Sequence, residues 1–200
     1  KVVIDGNDYF IELTSDLIPF GTAGTNLKKA FVLEITDKKE GSTPMLLDFE
    51  KRVPNKYIRG AKIRFEDDKM IIERDAIRYG TYAASTRGFY RDIGDEKRMK
   101  GFQEAVSDDF VKAKVLDFKF DSTLYLPTDS IVFSYSFEVL NPFNKLGNIQ
   151  LLKLPFAWKQ EPLDFLNSHN REYPVAFWKS SSADYKTETI EITIPTGKRL

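Results

Sequence analysis

Three groups of acidic side chains are the first candidates for chemistry in this sequence. They are Glu12 with Asp16, the pair Asp67-Asp68 and the pair Asp108-Asp109. Paired carboxylates can act as general acid and general base when their environments separate their pKa values. Asp67-Asp68 lies between two alternating segments, where aspartate is a common turn former, and Asp108-Asp109 follows an amphipathic stripe. We therefore expect a turn and a solvated helix end at these two pairs, rather than catalysis.

The chain offers few groups for nucleophilic or metal chemistry. It has no cysteine, and its single histidine, His169, lies in a polar stretch typical of a loop. A nucleophile needs a neighbouring base, and a lone histidine without a cysteine partner does not form that relay. Ser180-Ser181-Ser182 lacks the flanking glycines of a nucleophile elbow, which favours a flexible turn. These patterns predict no metal site, no cofactor and no catalytic residue.

Ligand classes that depend on charge or glycine loops are also disfavoured. Residues 21–25 lack the Lys-Ser/Thr pair that contacts phosphate and magnesium, and residues 196–199 lack an upstream glycine at the required spacing. With 30 basic and 30 acidic residues the formal net charge is zero, so no bulk field attracts nucleic acid or an anionic membrane. No stretch approaches the roughly 20 apolar residues of a membrane-spanning helix. We predict no nucleic-acid partner and no membrane span.

Aromatic residues form the remaining candidate binding feature. The chain contains 16 Phe, 9 Tyr and 2 Trp. Trp158 and Trp178, with Tyr173 and Phe177, can form a platform for sugar rings or a patch for a peptide partner. Core packing between two sheets is the favoured interpretation, because aromatic side chains are ordinary there. A carbohydrate- or peptide-binding site at Trp158, Trp178 and Tyr173 is the alternative.

The elements that must position these groups are mostly β-strands. Asp-Gly at residues 5 and 6 predicts a hairpin over residues 2–13. Alternation of apolar and polar residues predicts further strands at 30–36, 44–49, 57–66, 70–74, 77–86, 113–120, 130–140, 149–154 and 187–194, with the last two forming a pair. Only residues 93–111 show helical spacing, through Met99, Phe102, Val106 and Phe110, with Asp92 as the expected N-cap.

One helix among many strands predicts a mainly β fold, an antiparallel β-sandwich with one amphipathic helix inserted at about residues 93–111. An apolar content of 42% excludes a disordered chain, which would bury too little surface to offset its ordering entropy. Phe133 and Ile192 fall on the inward side of their strands. We expect their replacement by alanine to cost about 3 kcal/mol each.

Residues 1–14, which read Lys-Val-Val-Ile-Asp-Gly-Asn-Asp-Tyr-Phe-Ile-Glu-Leu-Thr, resemble the last hairpin of a bacterial transglutaminase-like domain. In that papain-like family a catalytic histidine precedes the hairpin, and a strand of the form aromatic-x-Asp-x-Thr carries the third triad member. The resemblance places Glu12 at the position of this acid, and the family's cysteine and histidine have no counterpart in this chain. Residues 18–21, Ile-Pro-Phe-Gly, are similar to the loop that follows the hairpin.

Further segments are similar, in order, to a β-rich domain of unknown function that follows the transglutaminase-like core in many multidomain proteins, notably of Bacteroidetes. They are residues 80–87, the predicted helix, residues 170–175 and residues 188–197. The resemblance implies two parts, residues 1–55 as the terminal hairpin of a transglutaminase-like core plus connecting strands, and residues 56–200 as a β-sandwich accessory domain. It also implies a periplasmic or cell-surface location and export by a signal peptide that lies upstream.

From these features we expect a non-catalytic accessory, structural or binding module of an extracytoplasmic transglutaminase-like protein. A strand pattern at each end of the chain favours a piece of a longer protein, and the expected partners are the upstream domains of that polypeptide. Any activity would then belong to those upstream regions. The alternatives are a carbohydrate- or peptide-binding domain, or the remnant of a degraded papain-like enzyme whose remaining acid is Glu12.

Overall fold

Strands make up most of the ordered elements of this protein. The computed structural model describes residues 1–11, 13, 15–24, 27, 29–33, 35, 44–48, 52–156 and 185–197. In these ranges the strands are β1 (Val2–Ile4), β2 (Asn7–Tyr9), β3 (Phe31–Leu33), β4 (Pro44–Leu46), β5 (Lys56–Glu66), β6 (Lys69–Tyr79), β7 (Ala113–Phe120), β8 (Ser130–Leu140), β9 (Phe143–Leu146), β10 (Ile149–Leu152) and β11 (Tyr185–Ile192). The helices there are α1 (Thr81–Tyr90), α2 (Asp95–Asp109) and a short 3-10 helix (Ser122–Leu124). The predicted mainly β fold with an inserted helix is confirmed.

A five-stranded sheet organises the described part of the chain. Its strand order is β11-β5-β6-β8-β7, with β11 parallel to β5 and the other neighbours antiparallel. The strand pairs β1-β2, β3-β4 and β9-β10 form three two-stranded sheets. The predicted pairing of 149–154 with 187–194 is wrong, because β10 pairs with β9 and β11 takes the edge beside β5. Alternation fixes which residues share a face of a strand, but it does not fix the partner strand.

The turns follow their local sequence closely. Asp5 and Gly6 both have positive φ, of 50° and 79°, as the tight turn of the β1-β2 hairpin requires. Asp67, with φ 52°, and Asp68 connect β5 to β6, which confirms the turn predicted at this acidic pair.

The predicted helix is present as α2. It begins at Asp95 instead of residue 93, and its N-cap is Gly94, with no side-chain cap. Asp92 instead accepts a hydrogen bond from Arg91 Nε at 3.2 Å, so the predicted capping by Asp92 is wrong. Phe102 and Val106 are buried in the helix as expected, with Phe110 as its C-cap, and Asp108-Asp109 occupies the last turn.

The strand predicted at 77–86 is wrong beyond Tyr79, because the chain turns at Gly80 and continues as helix α1. Gly80 has φ 62°, and a Cβ there would collide with Asn55 Oδ1. The same Asn55 oxygen accepts a hydrogen bond from the Thr81 N–H at 2.8 Å, which satisfies an amide at the start of α1. A residue 26 positions upstream therefore stabilises the helix start, and local sequence patterns cannot reveal such a partner.

The main core lies on one face of the five-stranded sheet, here named the inner face. The cross-strand row Ile63, Ile72, Phe137 and Val115 marks it, and all four are buried. Helix α2 packs on this face through Phe102, whose ring lies 4.8–6.1 Å from the rings of residues 118, 120, 133 and 135. Residues 152–155, which begin at the last residue of β10, cover it near β5. Phe133 is on the inner face, as predicted, and is 4% exposed.

Candidate functional site

Most side chains singled out by the sequence lie outside the described residues. This applies to Glu12 and to the aromatic group Trp158, Trp178 and Tyr173, as well as to His169 and Ser180-Ser181-Ser182. Asp16 is described, and its carboxylate lies 3.6 Å from Arg91 Nη1 on the surface. The candidate site must therefore be built from other residues.

Arginine side chains on the inner face are the functional feature that sequence reasoning missed. Arg59, Arg74 and Arg78 occupy inner-face positions of β5 and β6, in phase with the apolar residues around them. Arg59 and Arg74 are only 4% and 3% exposed. The sequence signal for these arginines is their inward position in the strand alternation, since an arginine there must find partners inside the protein.

Arg59 and Arg74 hold the segment at the end of β10 and the edge strand β11 in place by hydrogen bonds. Arg59 Nη2 and Arg74 Nη2 both donate to the Pro155 carbonyl, at 2.6 and 2.5 Å. Arg59 Nε also donates to Glu188 Oε1 of β11 at 2.7 Å, and Arg74 Nη1 donates to the Tyr135 hydroxyl at 2.8 Å. These contacts hold residues 152–156 on the inner face and help to fix β11 beside β5.

Arg78 differs from both in its contacts, and it lines an open cavity between two helices. Its guanidinium carbon lies 4.9 Å from the ring centre of Tyr57 and 5.1 Å from that of Phe133. Arg78 Nη1 donates to Thr86 Oγ1 of α1 at 2.8 Å, and Thr86 Oγ1 in turn donates to the Tyr82 carbonyl. Two rings and one hydroxyl therefore hold this cation in place without a carboxylate among the described residues.

The cavity beside Arg78, here named the inter-helix cleft, lies between α1 and α2 and has a volume of about 320 Å³. Its lining comprises Arg78, Ser85, Thr86, Phe89, Tyr90, Gly101, Glu104 and Ala105. The helices approach closely at Gly101, where an added Cβ would lie 3.3 Å from Phe89 Cε1 and 3.6 Å from the Tyr90 hydroxyl. Glycine at position 101 therefore helps to keep the cleft open, because a larger side chain on α2 would crowd Phe89 and Tyr90.

Two groups shape the electrostatics of the inter-helix cleft. Burial raises the pKa of Tyr90, while the nearby Arg78 charge acts in the opposite direction. The phenol is therefore neutral at pH 7 and can donate a hydrogen bond. Glu104 is exposed at the rim, 3.8 Å from Lys100 Nζ on the same helix.

Two other cavities have a different character. The larger, about 650 Å³, is an apolar groove between the β9-β10 hairpin and β11, lined by residues such as Phe65, Phe143 and Ile192. The smaller, about 250 Å³, lies over the row Lys62, Glu73, Ser136 and Asp117 of the opposite sheet face. The smaller cavity also combines a cation, Arg74, with hydroxyls and aromatic rings, but its lining includes three carboxylates, Glu73, Asp75 and Asp117. The inter-helix cleft has one carboxylate, Glu104 at its rim, beside its fixed cation, hydroxyls and aromatic wall.

The described residues contain no group of three His, Cys, Asp or Glu side chains placed to hold a metal ion. In the same part of the chain, neither helix has the length and apolarity needed to cross a membrane. Comparisons with protein-family models, with curated proteins and with solved structures find no match to this chain.

Proposed function

We propose that this chain is a non-catalytic binding module. The observation that carries the proposal is that Arg78, a cation held in place by its neighbours, lines the inter-helix cleft. A guanidinium stays protonated throughout the physiological pH range, so it can attract and orient an anion but cannot exchange a proton with it. Such a group serves recognition better than general acid–base chemistry.

The buried arginines support the same interpretation, because each one makes hydrogen bonds that hold the fold together. Arg87 donates to the carbonyls of Thr123 and Ser130, at 2.9 and 2.5 Å. Arg98 donates to the carbonyls of Tyr90 and Arg91, at 2.9 and 3.1 Å. Burial lowers the pKa of Arg87, but a guanidinium has enough margin to remain charged.

In this proposal, the module is an accessory part of an extracytoplasmic transglutaminase-like protein. Support comes from the similarity of residues 1–14 and 18–21 to the final hairpin and loop of that family. The chain's lack of cysteine removes the family's nucleophile, so catalysis would depend on upstream regions. The module would bind those regions or present ligands to them.

A combined assay of turnover and binding tests the proposal. The 200-residue protein is incubated with glutamine-containing peptides and a primary amine while ammonia release is measured. The same protein is screened by thermal shift against small carboxylic acids, short peptides and glycans. We expect no ammonia above the buffer rate, and a concentration-dependent rise in Tm with at least one ligand, because ligands that bind only the native state stabilise it.

Turnover above the buffer rate would contradict the proposal. In that event the variant Glu12→Gln distinguishes a residual papain-like enzyme, which would lose activity, from a contaminant, which would not. Glycans that raise Tm without any effect of small acids would instead favour the aromatic group Trp158, Trp178 and Tyr173 as the binding surface.

A further inference from the structure

We propose that the inter-helix cleft binds the carboxylate of a small aromatic acid, with Arg78 as the principal contact. This inference rests on the proposed binding function and names its ligand class. The residues that carry it lie on three elements, namely Arg78 on β6, Thr86 and Tyr90 on α1, and Gly101 on α2.

The hydrogen-bonding capacity of Arg78 is the first argument. Thr86 Oγ1 accepts one hydrogen bond from Nη1, whereas Nε and Nη2 donate to no group within the described residues. The ring contacts with Tyr57 and Phe133 fix the plane of the guanidinium without using its N–H groups. A planar carboxylate can accept two parallel hydrogen bonds from a guanidinium edge, which gives both strength and orientation.

The chain itself pairs this edge of an arginine with a carboxylate one strand away. Arg59, on the same inner face, directs Nε and Nη2 at one oxygen of the Glu188 carboxylate, Oε1. Arg78 carries the same pair of donors next to an open cavity instead of a protein carboxylate. A carboxylate supplied by a ligand would complete the equivalent arrangement.

The rest of the inter-helix cleft specifies what accompanies the carboxylate. The neutral Tyr90 hydroxyl makes no hydrogen bond among the described residues, and the Ser85 and Thr86 hydroxyls line the same space. Phe89 is 59% exposed and forms an edge contact with the Tyr90 ring, with centroids 4.7 Å apart. An aromatic group on the ligand can extend this ring contact and remove apolar surface from water.

The charge at the rim limits the ligand. Glu104 repels a second negative charge, although Lys100 partly neutralises it. A monoanion of modest size therefore fits the inter-helix cleft better than a multiply charged phosphate. The volume of about 320 Å³ accommodates a ligand the size of an amino acid derivative.

N-acetyl-L-phenylalanine is the probe, and its carboxamide, N-acetyl-L-phenylalaninamide, is the matched neutral control. Titration into ¹⁵N-labelled protein, followed by amide chemical shifts, reports both affinity and location. We expect saturable shifts at residues 85–90 and 101–105 with the acid, and none there with the amide.

Three variants test the roles of individual residues. Arg78→Gln should weaken binding about tenfold or more, the usual effect of removing a hydrogen-bonded charge. Ala105→Leu adds bulk at the exposed wall of α2 without altering Arg78 and should also weaken binding, which keeps the test valid if Arg78→Gln unfolds. Arg64→Gln removes an exposed arginine from the opposite face of the sheet and should leave binding unchanged.

Several results would overturn the carboxylate proposal. These are an absence of saturable shifts, shifts of equal size with the amide, undiminished binding by both Arg78→Gln and Ala105→Leu, or stronger binding of inorganic phosphate than of the acid. Each of them would leave the proposed binding function standing when another ligand raises Tm in the thermal-shift screen, whereas turnover above the buffer rate, or the lack of any ligand that raises Tm, would overturn that function. The two proposals can therefore fail separately.

Discussion

The two faces of the five-stranded sheet carry the same residue type, arginine, in two opposite arrangements. On the outer face, defined by the row of Lys62, Glu73, Ser136 and Asp117, Arg64 contacts the carboxylates of Glu66 and Glu73 and remains largely exposed. On the inner face Arg74 is buried, with its guanidinium over the rings of Tyr135 and Phe137 and its N–H groups on a hydroxyl and a carbonyl. Of these two arginines, only the exposed Arg64 has carboxylate partners among the described residues, although Arg59 on the inner face pairs with Glu188 of the edge strand.

This difference shows how one sheet uses a cation in two ways. In water an ion pair forms easily but contributes little, because the solvent competes for both charges. In the core a cation needs several fixed partners, since its desolvation is costly. Hydrogen bonds to Glu66 and Glu73 raise the pKa of Arg64, whereas the hydrogen bonds of Arg74 go to the Tyr135 hydroxyl and the Pro155 carbonyl. The inner face is therefore the part of the molecule where substitutions should matter most.

The largest expected effect is that of Phe133→Ala on the inner face. The ring lies 5.4 Å from Phe120 and 6.1 Å from Phe102, so its loss leaves a cavity under α2. We expect the free energy of unfolding to fall by about 3–4 kcal/mol in urea denaturation. Ile192 is only half-buried, on the edge strand, so Ile192→Ala should cost about 2 kcal/mol, less than the value of about 3 kcal/mol expected from its sequence position. Ser134→Ala, the neighbour on the outer face, serves as the control and should change stability by less than about 0.5 kcal/mol.

Arg74 offers a direct test of how the inner face holds a cation. Arg74→Ala removes the hydrogen bonds to Tyr135 and Pro155 and opens a cavity, so we expect a loss of about 3 kcal/mol. Arg74→Met keeps most of the volume and avoids desolvation of a charge, and should stay within about 1 kcal/mol of the wild-type protein. Equal losses for the two variants would contradict this account, because they would show that the charge itself stabilises the fold.

Tyr90 predicts how the stability of the inner face depends on pH. Burial raises the pKa of the Tyr90 phenol above its ordinary value of 10.0. Below that value the phenol is protonated in both the folded and unfolded chains, whereas at higher pH the unfolded chain releases its proton first. The protein should therefore lose stability as pH rises above about 10, and Tyr90→Phe should lose less. The measurement is the urea midpoint of the wild-type protein and of Tyr90→Phe between about pH 8 and 11. Midpoints that change in parallel with pH for the two proteins would contradict the prediction.

The smallest expected effect lies on the outer face. Arg64→Gln removes the contacts with Glu66 and Glu73, but both partners and the arginine are exposed. We expect a change in unfolding free energy below about 0.5 kcal/mol, and a smaller one still at high salt. A loss comparable to that of Arg74→Ala would remove the distinction between the two faces.

Much of the secondary structure could be predicted from local patterns, and the candidate site could not. Strands 113–120 and 130–140 were predicted with their observed bounds, because their alternation of apolar and polar residues is regular. Arg74 and Arg78 follow the same inward phase, yet charged residues are ordinarily assigned to the solvent side. Helix α1 was missed because its start depends on Asn55 and on the backbone conformation of Gly80.

The sequence by itself determined which residues face inward on each strand, the apolar stripe of α2, and the tight turns at Asp5-Gly6 and Asp67-Asp68. These features depend on neighbours within a few positions, where periodicity and backbone conformational preference act. Only the tertiary structure decided that β11 runs parallel to β5, that Asn55 caps α1, and that Arg78 opens into a cleft between two helices. Those outcomes depend on contacts between distant segments, whose energies arise only when the chain has folded.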